Sequence, residues 1–211
     1  MKLVPGLAAA ATLLITVGCG VTPPTLPPAP SVGSTSGSVA TVPASPSPVS
    51  SPSAPAASVP DAAGAIDVSG HPNSAFASPS GAIWCSVAKD MALCHFPAGF
   101  KGKVPTSKQT CPKEMLDVTG ISVTKKVQYF CSGDPTAFPS LQNASNDLDW
   151  FKTSGFPTVK YNGFTLATLP YGQKLVDGNF ICLSESSGVT CANSKLGVGF
   201  KMAKAGVTLI S

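Results

Sequence analysis

The chain has 211 residues, 14 lysines against 10 acidic residues, no arginine and a net charge of +4. Readers of nucleic acid rely on the planar guanidinium fork, so a chain without arginine argues against a nucleic-acid partner. The weak positive balance reads as solubility and mild attraction to anionic surfaces.

The first element is an export signal. Lys2 precedes an apolar stretch from Leu3 to Val17, the pattern of a signal peptide over residues 1–18 and too short for a spanning helix. It closes on Thr16-Val17-Gly18-Cys19-Gly20, which resembles the bacterial lipobox, with Thr16 where leucine is usual. The resemblance implies that Cys19 is the lipid attachment site, acylated with palmitate-type chains. Lipidation anchors a protein without a transmembrane helix, each buried methylene contributing about 0.8 kcal/mol. The expected address is the extracytoplasmic face of a cell membrane, with the membrane as first partner. Secretion after cleavage beyond Cys19 is the alternative.

Residues 19–62 form the second element. Between Gly20 and Pro60 there is no charged residue, and 11 of the 21 prolines fall there. Such a segment cannot bury enough apolar surface to offset its chain entropy, so a disordered, partly polyproline-like stalk is expected. Serine and threonine among the prolines also fit an O-glycosylation substrate.

The folded domain is expected over residues 63–211, long enough for one core. It holds six cysteines. Cys85 and Cys94 bracket eight residues, as do Cys182 and Cys191. Each bracket reads strand, polar turn, strand: Ile83–Val87 returning through Ala92–Phe96, and Asn179–Ser184 returning through Val189–Ala192. Opposed residues of an antiparallel pair lie close enough for a disulfide. The expected bridges are therefore Cys85–Cys94, Cys182–Cys191 and, by elimination, Cys111–Cys131. No cysteine pair has zinc-site or Cys-x-x-Cys spacing, so no metal and no cofactor is expected.

Further β-prone stretches are Val127–Phe130, Val159–Tyr161, Phe164–Leu169, Lys174–Val176 and Val198–Met202. Turn signals at Asp134-Pro135, Tyr161-Asn162-Gly163 and Asp177-Gly178-Asn179 punctuate them. Short helical turns are expected at Lys113–Val118 and Asn146–Phe151, the second capped by Ser145 or Asn146 with Asp147 and Asp149 at its start. The fold class is mainly β: a small disulfide-stapled antiparallel sheet or sandwich built from hairpins.

Four motifs carry a family resemblance. Phe76-Ala77-Ser78-Pro79-Ser80-Gly81-Ala82-Ile83-Trp84-Cys85 resembles the opening motif of a family of small actinobacterial, mycobacterial-type exported domains. Cys131-Ser132-Gly133-Asp134, Leu169-Pro170-Tyr171-Gly172, and Ser187–Asn193 followed by Gly197-Val198-Gly199-Phe200 resemble its later motifs. Family members tend to carry Asn and Gly where Ala82 and Trp84 stand. The family has no assigned activity, so the resemblance implies an exported lipoprotein domain and no catalytic residue.

Function is weighed on few residues. His95 follows Cys94 on a strand and should point away from the disulfide. There is no Gly-x-Ser-x-Gly elbow, and Asp147 and Asp149 read as a helix start, although Asp134 or Asp177 could converge with them. Gly99–Lys103 reads as a solvated basic loop. Trp84 should pack on the face opposite its disulfide. Trp150 and Phe151 lie in a polar stretch and are the candidate exposed binding surface, against a lid on the core. The expected function is a non-enzymatic binding module for an envelope protein or glycan. An envelope-acting hydrolase, or an inhibitor of a secreted hydrolase, is the alternative.

Overall fold

The computed structural model describes residues 56–114, 116–134, 137–142 and 148–211. The signal peptide, Cys19 and most of the stalk lie outside the described residues, as do Ser145, Asn146 and Asp147. In chain order the first elements are β1 Ile66–Asp67, β2 Ser74–Ala77, β3 Trp84–Ala88, β4 Met91–His95 and α1 Ser107–Thr110. There follow β5 Val118–Val123, β6 Val127–Cys131, α2 Asp149–Ser154, β7 Thr158–Tyr161 and β8 Phe164–Ala167. The chain ends with β9 Lys174–Asp177, β10 Phe180–Glu185, β11 Gly188–Asn193, β12 Val198–Ala203 and β13 Gly206–Ile210.

These strands make a β-sandwich. One sheet runs β1-β9-β10-β11-β12-β13 and the other β2-β3-β4-β5-β6, with β7-β8 as a separate hairpin. Among the described residues, all strand-to-strand ladders are antiparallel except β1 on β9. Cys85 lies opposite Cys94 and Cys182 opposite Cys191, and the three disulfides are those expected.

Alternation along each strand sends one set of side chains between the sheets. In the five-stranded sheet that set includes Phe76, Cys85, Val87, Ala92, Cys94, Ile121 and Val123. In the six-stranded sheet it includes Leu175, Cys182, Val189, Cys191, Phe200 and Met202. All are fully buried in one core cluster. Cys94 Sγ and Cys191 Sγ approach to 3.8 Å, so the two hairpin disulfides meet in the middle of the core.

Local chemistry explains where the helices lie. α1 starts at Ser107, upstream of the turn expected at Lys113–Val118, because Thr106 and Gln109 form a capping box. Val118 instead opens β5, whose Val-Thr-Gly-Ile-Ser-Val run is claimed by pairing on both sides. α2 starts at Asp149 and stops at Gly155, which takes the left-handed conformation at φ 67.

α2 corrects the expectation of an exposed Trp150-Phe151 surface. Trp150 is 3 % and Phe151 8 % exposed, and both belong to the core cluster with Leu148. Their rings meet edge to face at 5.7 Å. Asp149 and Lys152 take the solvent side and pair at 2.6 Å. One turn of helix thus divides a polar-looking stretch into a wet side and a dry side. α2 is a lid on the core.

Contacts with the six-stranded sheet begin ahead of residue 63. Pro60 is buried, and Asp61 pairs with Lys174 at 3.2 Å. Across the far end, Asn193 Nδ2 donates to the Thr124 carbonyl at 2.9 Å and ties β11 to the β5–β6 turn.

The disulfides divide their labour in a measurable way. Loop-closure entropy favours Cys111–Cys131 over Cys85–Cys94, about 3 against about 2.5 kcal/mol, for separations of 20 and 9 residues. Emptying two fully buried sulfur positions adds a cavity cost of about 1 kcal/mol to the second pair alone. The double replacement C85A/C94A is therefore expected to destabilise more than C111A/C131A in urea unfolding, the reverse of the loop-length order.

Candidate functional site

The outer face of the five-stranded sheet carries the site. Successive pairings place Ala77, Trp84, His95, Gly120 and Phe130 in one row across all five strands. Trp84 and His95 each adjoin a hairpin cysteine that points inward, so both point outward. Gly120 lies between His95 and Phe130 without a side chain. A Cβ there would come within 2.4 Å of the Phe130 ring and 2.5 Å of the Cys94 carbonyl oxygen. Its absence lets the rings of His95 and Phe130 meet edge to face at 5.3 Å.

Trp84 is the hub of a second aromatic group. Phe138 lies 4.6 Å from it and Tyr161 meets it edge-on at 5.2 Å. Phe164 stands edge-on to Phe138 at 5.1 Å and is 44 % exposed. The indole N–H donates to the Gly81 carbonyl at 2.7 Å, which fixes the ring plane. The β7–β8 hairpin delivers Tyr161 and Phe164 through an Asn162-Gly163 turn with φ 47 and 83, the conformation such a turn demands.

Between these groups lies a groove of about 350 Å³, lined by Trp84, His95, Phe96, Val118, Thr119, Ser132, Gly133 and Asp134. The β5–β6 register shifts between Val118 and Gly120, and the bulge lies where Thr119 lines the groove. The Thr119 hydroxyl is buried and has no hydrogen-bond partner among the described residues. Ser132 Oγ donates to the Asp134 carbonyl and shapes the rim. Cys131, immediately before this loop, is bridged to Cys111, so the rim is covalently held. Phe96 stacks on Phe100 at 4.6 Å, and Lys101 N donates to Lys204 O at 2.9 Å. Phe100 and the Lys101 backbone dock the 99–103 segment, while the Lys101 and Lys103 side chains stay exposed as expected of a solvated basic loop.

His95 is 7 % exposed, and burial pushes its pKa below the ordinary 6.5; its hydrogen bond to the Thr119 backbone pulls the other way. The imidazole is thus neutral at pH 7. Ser132 spends its hydroxyl on the loop backbone. The expected partners of a carboxylate pair are scattered. Asp149 sits beside Lys152 and His71, which hold its pKa down. Burial, Asp67 and Asp90 raise the pKa of Asp177 at the other end of the sandwich. Cys85, Cys94 and Cys191 place sulfurs within 4.8 Å of one another, but all three are bridged and have no thiolate for a metal.

Trp84 and His95 were placed correctly by parity. Thr119, Phe130 and Phe138 were missed, because they reach the site through a bulge, a fourth strand neighbour and a returning loop. Two of the sequence motifs do converge here: the first supplies Trp84, and the second supplies Ser132, Gly133 and Asp134. No protein-family model, curated protein or solved structure matches the chain, so no family with an enzymatic activity is indicated.

Proton linkage gives a test of the buried imidazole. A histidine whose folded pKa is depressed stabilises nothing by charging; the unfolded chain binds the extra proton as pH falls below about 6.5. Stability is therefore expected to fall between neutral pH and the depressed folded value, then level off in this contribution. The His95→Gln variant should show a flatter thermal midpoint over the same window, followed by circular dichroism.

Proposed function

We propose that the protein is a lipid-anchored, extracytoplasmic binding module, and that the groove beside Trp84 receives a neutral, hydroxyl-rich envelope ligand such as a glycan segment. The supporting observation is the groove itself: Trp84 and Phe96 line it together with Thr119 and the Ser132–Asp134 rim. Concave sites with apolar walls and a few placed polar groups are the usual form of ligand pockets. The aromatic faces suit the C–H face of a sugar ring. The exposed Asp134 carboxylate suits its hydroxyls.

One observation favours a second reading. His95, Ser132 and Asp134 line the same groove, so a hydrolase acting on that ligand is the competing assignment. Against it stands the Ser132 hydroxyl, which bonds to the loop backbone; nucleophilic catalysis needs that hydroxyl on a base.

Two experiments test these assignments. Titration with envelope oligosaccharides, followed by tryptophan fluorescence, is expected to show saturable binding that Trp84→Leu and Asp134→Ala weaken by about ten-fold or more. Release of product that requires His95 and Ser132 would replace the binding reading with the hydrolase; absence of saturable binding would remove both. For the anchor, Cys19→Ala is expected to shift the protein from the membrane to the soluble fraction and abolish incorporation of labelled palmitate. An unchanged distribution would show that Cys19 is not the attachment site.

A further inference from the structure

The opposite end of the sandwich has different chemistry. Two turns from each sheet meet there: Lys89-Asp90 and Thr124-Lys125-Lys126 from one, Asp177–Asn179 and Ser194–Gly197 from the other. They surround a cavity of about 1070 Å³ that includes Lys125, Lys126, Lys195, Phe180 and Leu196 in its lining.

The rim is positive. Lys125, Lys126 and Lys195 are all exposed, and none of their ammonium groups forms an ion pair or hydrogen bond among the described residues. Among the described residues, Asp90 is the one carboxylate lining the cavity. Like charges gathered on one rim repel modestly in water, and a bound anion reduces that repulsion.

The interior is apolar. Phe180 closes the core side, and Leu196 stands 49 % exposed on the rim. A simple polyanion would satisfy the lysines and leave Leu196 in water. A neutral hydrocarbon would cover Leu196 and ignore the lysines.

The site is also rigidly built. Asn193 donates to the Thr124 carbonyl at 2.9 Å and accepts from Leu196 N at 3.2 Å. One side chain thereby holds the turn carrying Lys125 and Lys126 against the turn carrying Lys195. The spacing of the two turns that carry the lysines is set by the fold.

We infer that this cavity binds an anionic amphiphile, a hydrocarbon chain bearing a carboxylate or phosphate head, with the head on Lys125, Lys126 and Lys195 and the chain against Phe180 and Leu196. This site is separate from the groove beside Trp84 and does not depend on its assignment. Charge complementarity selects the head, and burial of apolar surface selects the tail.

The test uses the full-length protein with its disulfides formed, titrated calorimetrically with dodecanoate, dodecyl phosphate, dodecanol and inorganic phosphate below any micelle concentration. The proposal expects dodecanoate or dodecyl phosphate to bind about ten-fold or more tightly than both dodecanol and inorganic phosphate. Which of the two anions binds more tightly identifies the head group. The K125Q/K126Q/K195Q variant should erase the advantage over dodecanol, and Leu196→Asn should erase the advantage over inorganic phosphate. All four lysine and leucine positions are exposed, and unchanged circular dichroism verifies that the variants fold. The proposal fails if no anionic amphiphile saturates the protein, if the triple variant keeps the preference, or if inorganic phosphate binds as tightly as dodecanoate.

Discussion

Two disulfides touch at the centre of the core, Cys94 Sγ lying 3.8 Å from Cys191 Sγ. Each joins residues directly opposed on adjacent strands, so each locks the register of its hairpin. A one-residue slip would turn every side chain of a strand to the other face, and the bridges forbid that slip in both sheets. Their contact also brings the two hairpins together face to face. Phe76, Ile121, Leu175 and Phe200 then fill the space around four sulfurs.

The same constraint fixes the outer face. With Cys85 and Cys94 inward, Trp84 and His95 must point outward, and pairing with β5 and β6 extends their row through Gly120 to Phe130. Residues that would be an ordinary solvated face become the floor and wall of a groove. The third bridge works differently. Cys111–Cys131 lies outside the core cluster and holds the loop that begins at Ser132, so its place is at the rim of the groove rather than in the core.

Polarity is distributed along the sandwich axis. The end near Trp84 and Asp134 combines rings with hydroxyls and a carboxylate; the end near Phe180 combines apolar surface with three lysines. Turns are where a β-sandwich can vary its chemistry without disturbing core packing. Asn193 shows how such an end is kept in order, since its side chain reaches from one sheet to a turn of the other.

Cysteine spacing, strand alternation and turn residues made the disulfides, both hairpins and the outward direction of Trp84 and His95 legible in the sequence. These are local properties, governed by a two-residue period and by loops of few residues. The edge strands β1, β2 and β13 were missed because two to five residues carry too little pattern, and β5 was missed as well, its first residue being read into a helical turn. Trp150 and Phe151 could not be placed from composition, because burial of a single helical turn depends on which surface it lands on. Thr119 entered the groove through a bulge, Phe138 reached Trp84 through a long return, and the lysines of two different sheets gathered at one end. Sequence alone determined the register and parity of each hairpin through covalent spacing. Only the tertiary structure decided which hairpin faces meet and which turns become neighbours, because those contacts join residues far apart in the chain.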